Sequence, residues 1–512
     1  MARPLLPVNE TRFLAVAWEM WLSGDWLVPH LNGQVYDQKP PLLFWLVNIV
    51  WSFAGVEESA ARLVAPSFGL ATVFLSYLAA RMFWPEDRFT RYFAPLVLSG
   101  TASWVLFSTL TDFEMMIGFF ATLGIIGLLL VWRGRALSGW GLVGLCLGLG
   151  ALAKGPFILI HLLPAALLAP LWMGVKGPDG GWGRWYLGLL GGLGFATVIV
   201  LAWALPAAQA GGDGYSSGLL WSQTAGILAL NFDHVQPWWF FAAVVLPVVL
   251  PWSFWPSFWR AAFKTRLEVR DPCARLLLVW FLGVLILLSV PAAKQVHFLL
   301  PALPAFALLV ARMVARAPER GGRFDALPFG LFLSLLGIGV MALPFLKPHL
   351  NLDPELAELN ELWGIGLVVL GLILLLWRPW SGGWRLALQS AAVLVALVIV
   401  HVMAAPYLVT FHNVKPTAQW ISLAQQRGLP IANISLYHGQ YHFLGRLKRP
   451  IDSVWEHDIG KWLADHNRGK IISYHDGPIL KPEPEFLQPF RSRMITIRDY
   501  DDVKANPRVI VR

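Results

Sequence analysis

Charge is what this 512-residue chain has least of: Asp, Glu, Lys and Arg make up only 14% of it, where soluble proteins average about 25%. Cysteine is nearly absent too, with Cys146 and Cys273 the only two, which excludes a disulfide-stapled secreted domain. Apolar residues fill the gap, at 56% of the chain with 27 Trp and a mean hydropathy of +0.57. This is the composition of a polytopic membrane protein and excludes a soluble enzyme. The net charge of +9 and isoelectric point near 9.6 therefore report membrane topology before they report a partner, and do not imply nucleic acid.

A membrane-spanning helix needs about 20 mostly apolar residues, because each backbone N–H and C=O must be satisfied within the segment. Twelve stretches qualify, near 63–82, 92–109, 113–132, 139–152, 156–174, 186–206, 238–256, 276–291, 297–312, 327–346, 362–377 and 386–404. Basic residues in the loops orient them. One alternate set of loops holds 18, including Arg88, Arg133, Arg260, Arg316 and Arg385, and is cytoplasmic. The opposite set holds seven: Arg3, Arg12, Lys39, Arg62, Lys154, Lys294 and Lys347. The expected architecture is an all-α membrane protein of about 12 helices. Residues 1–62 would form an extracytoplasmic loop with interfacial helices, 63–404 the transmembrane core, and 405–512 a small extracytoplasmic α/β domain. In that last part Thr417–Gln426 reads as a helix, and Ile431–Leu436 and Lys470–Tyr474 as strands. Its Tyr437, His438, Tyr441 and His442 either line a sugar or lipid head-group site or decorate a polar loop.

Residues 1–62 face outside with nothing ahead of them to carry them across. The apolar stretch Pro41–Phe53 is too short to span and reads as interfacial or re-entrant. The expectation is that a further membrane helix precedes the chain as given.

The outside loops carry the scarce charges. Asn9 is placed to cap a helix over residues 10–22, whose apolar face Phe13/Ala17/Met20/Trp21 suits a membrane surface and whose first turn holds Glu10. The second loop is little more than Thr109-Leu110-Thr111-Asp112-Phe113-Glu114, and Asp112 at its tip is either a functional carboxylate or a helix cap. Lys39, Lys154 and Lys294 stand at span ends on the same side, where they either grip an anionic group such as a phosphate or extend to the interface. Arg12, His234 and His297 are further candidates for substrate binding, and Trp238-Trp239 is an aromatic platform or part of the interfacial belt.

Asn9-Glu10-Thr11-Arg12-Phe13, Ser23-Gly24-Asp25-Trp26, Tyr36…Lys39-Pro40-Pro41, Asp112, Lys154-Gly155 and Lys294-x-x-His297 with Leu299-Leu300-Pro301 together resemble bacterial GT-C-fold glycosyltransferases. The aminoarabinose transferases and protein O-mannosyltransferase relatives are the most similar. The resemblance covers nearly the whole chain and implies transfer of a sugar from a polyprenyl-phosphate donor to an extracytoplasmic acceptor, a lipid, a glycan or a protein, at the outer face of the inner membrane. Lipid A modification and protein glycosylation are the activities it brings to mind, together with a helix ahead of the first loop.

Carried over residue by residue, it puts catalysis on Asp112, Glu10 and the Asn9 position, and the donor phosphate on Lys39, Lys154 and Lys294. Two departures matter: Asn9 stands where the family has Asp, and Gln38-Lys39-Pro40 where it has Glu-Lys-Pro. An amide is no general base, so Asp112 takes that role with Glu10 as its partner. No metal is required; a divalent cation, if one binds, is expected between Glu10 and Asp112. The alternatives are a transporter or lipid flippase, and a degenerate relative that binds lipid-linked sugar without turning it over.

Overall fold

A computed structural model of the chain describes residues 3–174, 177–218, 235–266, 269–317, 324–350, 359–377 and 382–510. Eight described helices are long and apolar enough to cross a membrane: Glu58–Phe83, Glu114–Trp132, Ala136–Lys154, Gly181–Gly212, Pro272–Ser289, Val296–Arg316, Leu327–Leu346 and Gly383–Gln426. Shorter apolar helices cover Leu42–Ala54, Phe157–Leu167 and Trp363–Leu376.

Several expected spans are broken where the packing demands it. The stretch 92–109 is two helices, Arg88–Ser99 and Ala102–Ser108. Between them Gly100 meets another helix so closely that a Cβ would stand 2.5 Å from Ser390 Oγ, and the N–H of Ala102 is satisfied instead by Leu250 O. The stretch 238–256 contains Pro247 and Pro251 and becomes Phe240–Val248, a turn at Trp252–Phe254 and a new helix from Pro256.

One hairpin positions the chemistry. Glu114–Trp132 and Ala136–Lys154 are both 19 residues long, so each rises about 28 Å. They are joined by Arg133-Gly134-Arg135 and pack through small residues, with a Cβ on Gly139 only 2.7 Å from Gly127 O. Equal lengths return Lys154 to the end where Glu114 begins.

The first loop folds as expected into a helix, α1 (Asn9–Ser23), but Asn9 is its first residue and not its side-chain cap. Phe13, Ala17 and Met20 are buried against the protein, with Phe13 edge-on to Phe113 at 4.8 Å. After α1 come a small hairpin, His30–Leu31 with Gln34–Val35, and the 13-residue helix Leu42–Ala54, whose Asn48 donates to Ala17 O.

Beyond His412 the chain forms a five-stranded mixed sheet, in the order Asp452–Val454, Ile431–Ile434, Lys470–His475, Arg493–Asp499, Phe486–Phe490. The first three strands are parallel and the other two pair antiparallel. Helices Lys415–Gln426 and Ile459–Asp465 contribute to its two apolar cores. This domain is fastened to the first loop. Trp18 Nε1 donates to Leu447 O, Asn32 exchanges two hydrogen bonds with the backbone of Ile451, and Phe443 stacks on Trp51 at 5.3 Å.

Candidate active site

Four elements converge at one end of the helical bundle: the start of α1, the turn before Leu42–Ala54, the tip Thr109–Phe113, and the junction after Lys154. Glu114 is the first residue of its helix and is 2% exposed. Lys154, the last residue of the returning helix, forms a salt bridge with Glu114 Oε1. The ammonium also lies 4.4 Å from the ring centroid of Phe157 and 4.7 Å from that of Phe298, so its charge is held by a carboxylate and two π faces. His297 Nε2 stands 3.4 Å from the same Glu114 oxygen. Glu114 Oε2 is buried and accepts no hydrogen bond among the described residues.

Asp112 completes the group. It does not cap the helix; its Oδ1 accepts the N–H of Phe113, one residue on. Ligand atoms of Asp112, Glu114 and His297 lie within 4.8 Å of one another. Burial first, and then the charge of Glu114, push the Asp112 carboxyl up to about 8. Lys39 moves the other way: burial and the neighbouring Lys154 bring its ammonium down to about 8, against the pull of Glu114 and Asp112.

Glu10 sits elsewhere in the arrangement. Arg3 grips both of its oxygens, at 2.5 and 2.9 Å, and they also accept the N–H groups of Leu6 and Thr111. With all these donors on it, Glu10 is a tie between the first and second loops, and a cation between Glu10 and Asp112 would have to displace Arg3. Among the described residues, the three groups able to converge on an ion are Asp112, Glu114 and His297.

Lys294 also differs from its expected surroundings: it is buried, and its ammonium donates to Gln236 O and Pro291 O. Asn9 is exposed and its amide oxygen faces Arg12. His234 lies outside the described residues. In the C-terminal domain Tyr437, Tyr441 and His442 are buried in a hydrogen-bonded cluster with Tyr474, and only His438 of that group is partly open.

The family model for dolichyl-phosphate-mannose-protein mannosyltransferase matches residues 9–207. An undecaprenyl phosphate-alpha-4-amino-4-deoxy-L-arabinose arabinosyl transferase of Pseudomonas paraeruginosa is 28% identical over 76% of this chain and 70% of its own length. A second transferase of that name, from Pseudomonas fluorescens, is 30% identical over 64% of this chain, which spans 59% of its length. The crystal structure of ArnT from Cupriavidus metallidurans bound to undecaprenyl phosphate superposes with a TM-score of 0.74 at 17% identity, covering 97% of this chain and 94% of that one. The chain shares the fold of that transferase and is similar in sequence to the aminoarabinose transferases and, over residues 9–207, to the protein mannosyltransferases.

The residue that sequence reasoning passed over is Glu114. Asp-x-Glu at a two-residue spacing on a short tip was the available signal, and the equal hairpin lengths bring Lys154 to it.

The lowered Lys39 also gives an expected result. Its charge is present below about pH 8 and is lost as pH rises through that value. The KM for a lipid-phosphate donor should therefore climb above pH 8, and Lys39→Arg, which stays charged, should flatten the climb. A KM that rises identically in the Lys39→Arg protein would remove Lys39 from the phosphate.

Proposed function

We propose that the protein transfers a sugar from a polyprenyl-phosphate donor to an extracytoplasmic acceptor at the outer face of the inner membrane, with the C-terminal domain in the periplasm. The observation that carries this reading is the gathering of buried carboxyl groups, Asp112 and Glu114, with cationic Lys39 at one end of the bundle. Glycosyl transfer from a phosphate needs those two functions, a base for the acceptor oxygen and a cation for the leaving phosphate. Asp112 takes the proton of the acceptor hydroxyl as that oxygen bonds to the anomeric carbon. The bond from that carbon to the lipid phosphate breaks, and the phosphate leaves against Lys39. Lys154 is neutralised by Glu114 and acts on the phosphate only through its field.

This division of labour asks nothing of Asn9, whose amide would otherwise favour an inactive relative. The relatives' names support an undecaprenyl-phosphate donor, and the acceptor is a lipid, a glycan or a protein. Where a divalent ion would sit on Asp112, Glu114 and His297, Lys154 already meets the Glu114 oxygen that faces His297. The test is a transfer assay with the purified full-length protein in vesicles, an undecaprenyl-phosphate-linked sugar and envelope glycolipid or glycoprotein acceptors, with and without chelator. Product in both arms is expected. Donor flipping across the vesicle without product would overturn the reading in favour of a transporter, and product lost on chelation would put an ion at those three ligands.

A further inference from the structure

Arg12 is a cation in the site with no ion pair among the described residues. It is half-buried on α1, and its terminal nitrogens reach two neutral amides, Gln38 Oε1 at 3.4 Å and Asn9 Oδ1 at 3.5 Å. Both distances are at the long end of hydrogen bonding. Among the described residues its Nε is buried without a hydrogen-bond partner and its guanidinium, 5.6 Å from the Phe13 ring centroid, meets no carboxylate. An amide oxygen can accept from a guanidinium but cannot neutralise it, so the full charge persists in the cleft.

The C-terminal domain adds a second basic group there. Arg12, Ala15 and Glu19 share one face of α1, opposite the Glu10/Phe13/Ala17 face that meets the bundle. Against that first face lies the loop following strand Ile431–Ile434. At Gly439 of this loop, where φ is +77°, a Cβ would come within 3.2 Å of Ala15 Cβ, and His442 Nε2 stands 3.7 Å from Glu19 Oε1. His438 precedes Gly439 in this loop, within electrostatic reach of Arg12; burial first, and then the Arg12 charge, hold its imidazole below its ordinary pKa. Its backbone N–H donates to Gln440, while its ring makes no hydrogen bond among the described residues. The loop also leaves the carboxyl end of a parallel strand, between neighbours reached in opposite directions, which is where open α/β sheets take ligands.

We propose that Arg12 and His438, one from each domain, form an anion subsite separate from the lipid-phosphate position at Lys39, receiving a carboxylate or phosphate carried by the transferred sugar or by the acceptor. Such a group would accept from Arg12 Nε and a terminal nitrogen together, and from an imidazole N–H. The amides of Asn9 and Gln38 orient the guanidinium without cancelling it. A cationic amino sugar placed in this subsite would meet the positive charge of Arg12, so the subsite favours an anionic group over the ammonium-bearing sugar named for the relatives.

The inference rests on the sugar-transfer reading, and the experiment separates the two. Transfer and equilibrium binding are measured on the full-length protein in nanodiscs with undecaprenyl phosphate carrying glucuronic acid, glucose or 4-aminoarabinose, and with an envelope glycolipid acceptor before and after phosphatase treatment. Wild type should prefer the uronate donor or the phosphorylated acceptor. In His438→Gln and Arg12→Gln that preference should fall about tenfold or more, the usual worth of a charge-assisted hydrogen bond. Loss confined to the uronate arm assigns the subsite to the sugar, and loss confined to the phosphate arm assigns it to the acceptor. If Arg12→Gln fails to fold, His438→Gln, on a loop, decides alone. Wild type preferring the amino sugar, or variants that keep the full anion preference, would overturn the subsite. If no donor is turned over, the transfer reading falls; the subsite then stands on tighter binding of the uronate donor that is lost in His438→Gln, and falls with equal binding.

Discussion

Asp112→Asn is expected to lower transfer by about 10²–10⁴-fold, the usual contribution of a positioned general base, and to abolish the acid limb of the pH profile. The limb follows from the raised carboxyl. With a value of about 8, Asp112 is mostly neutral at pH 7, and its carboxylate, the form able to accept a proton, grows as pH rises through that value. The kcat/KM profile should therefore climb toward pH 8. Glu114→Gln separates the two acids. It removes the like charge that opposes ionisation of Asp112 and leaves Lys154 without its counterion, and both changes favour the Asp112 carboxylate. The limb should move to lower pH in that variant while some transfer survives. The opposite pattern, abolished transfer in Glu114→Gln beside an active Asp112→Asn protein that keeps its limb, would make Glu114 the base.

Most of the architecture was legible because membrane proteins place charge sparingly. Sorting basic residues by loop grouped the few acids and lysines of one set of loops, and Asp112 and Lys39 do come together at one end of the bundle. Hydropathy could not reveal where helices break. At Gly100 the chain passes Ser390, a neighbour 290 residues away, more closely than a Cβ would allow. Roles within the cluster were hidden for the same reason. Glu10, Asp112 and Glu114 are alike as letters, but Arg3 saturates the first, Lys154 neutralises the third, and only the second is left with a raised carboxyl. Lys294 resembled Lys39 as a cation at the rim, yet backbone carbonyls of its own loops receive its ammonium. Partners far apart in sequence decide what each charge does.

The Arg3–Glu10 tie is where the second large effect is expected. The side chains are only 8% and 3% exposed, and Arg3 also donates to Thr109 O at 2.7 Å while Arg62 holds Arg3 O at 2.9 Å. Thr109 and the Glu10-bound Thr111 flank the tip that presents Asp112, so the tie sets the position of that carboxyl. Removing one partner strands a buried charge, a loss of about 3–5 kcal/mol. Glu10→Ala and Arg3→Met should each lower the thermal midpoint in detergent and reduce kcat, yet leave the acid limb near pH 8, because Asp112 is displaced and not removed. Burial alone would raise the Glu10 carboxyl, but the bonds and charge of Arg3 and the N–H groups of Leu6 and Thr111 hold it below its ordinary value. The tie's contribution is therefore present above the usual glutamate range and is lost as pH falls through the lowered value. Glu10→Ala should accordingly flatten the acid side of the stability curve. Loss of transfer in Glu10→Gln alone, with Arg3→Met fully active and equally stable, would return Glu10 to the reaction itself.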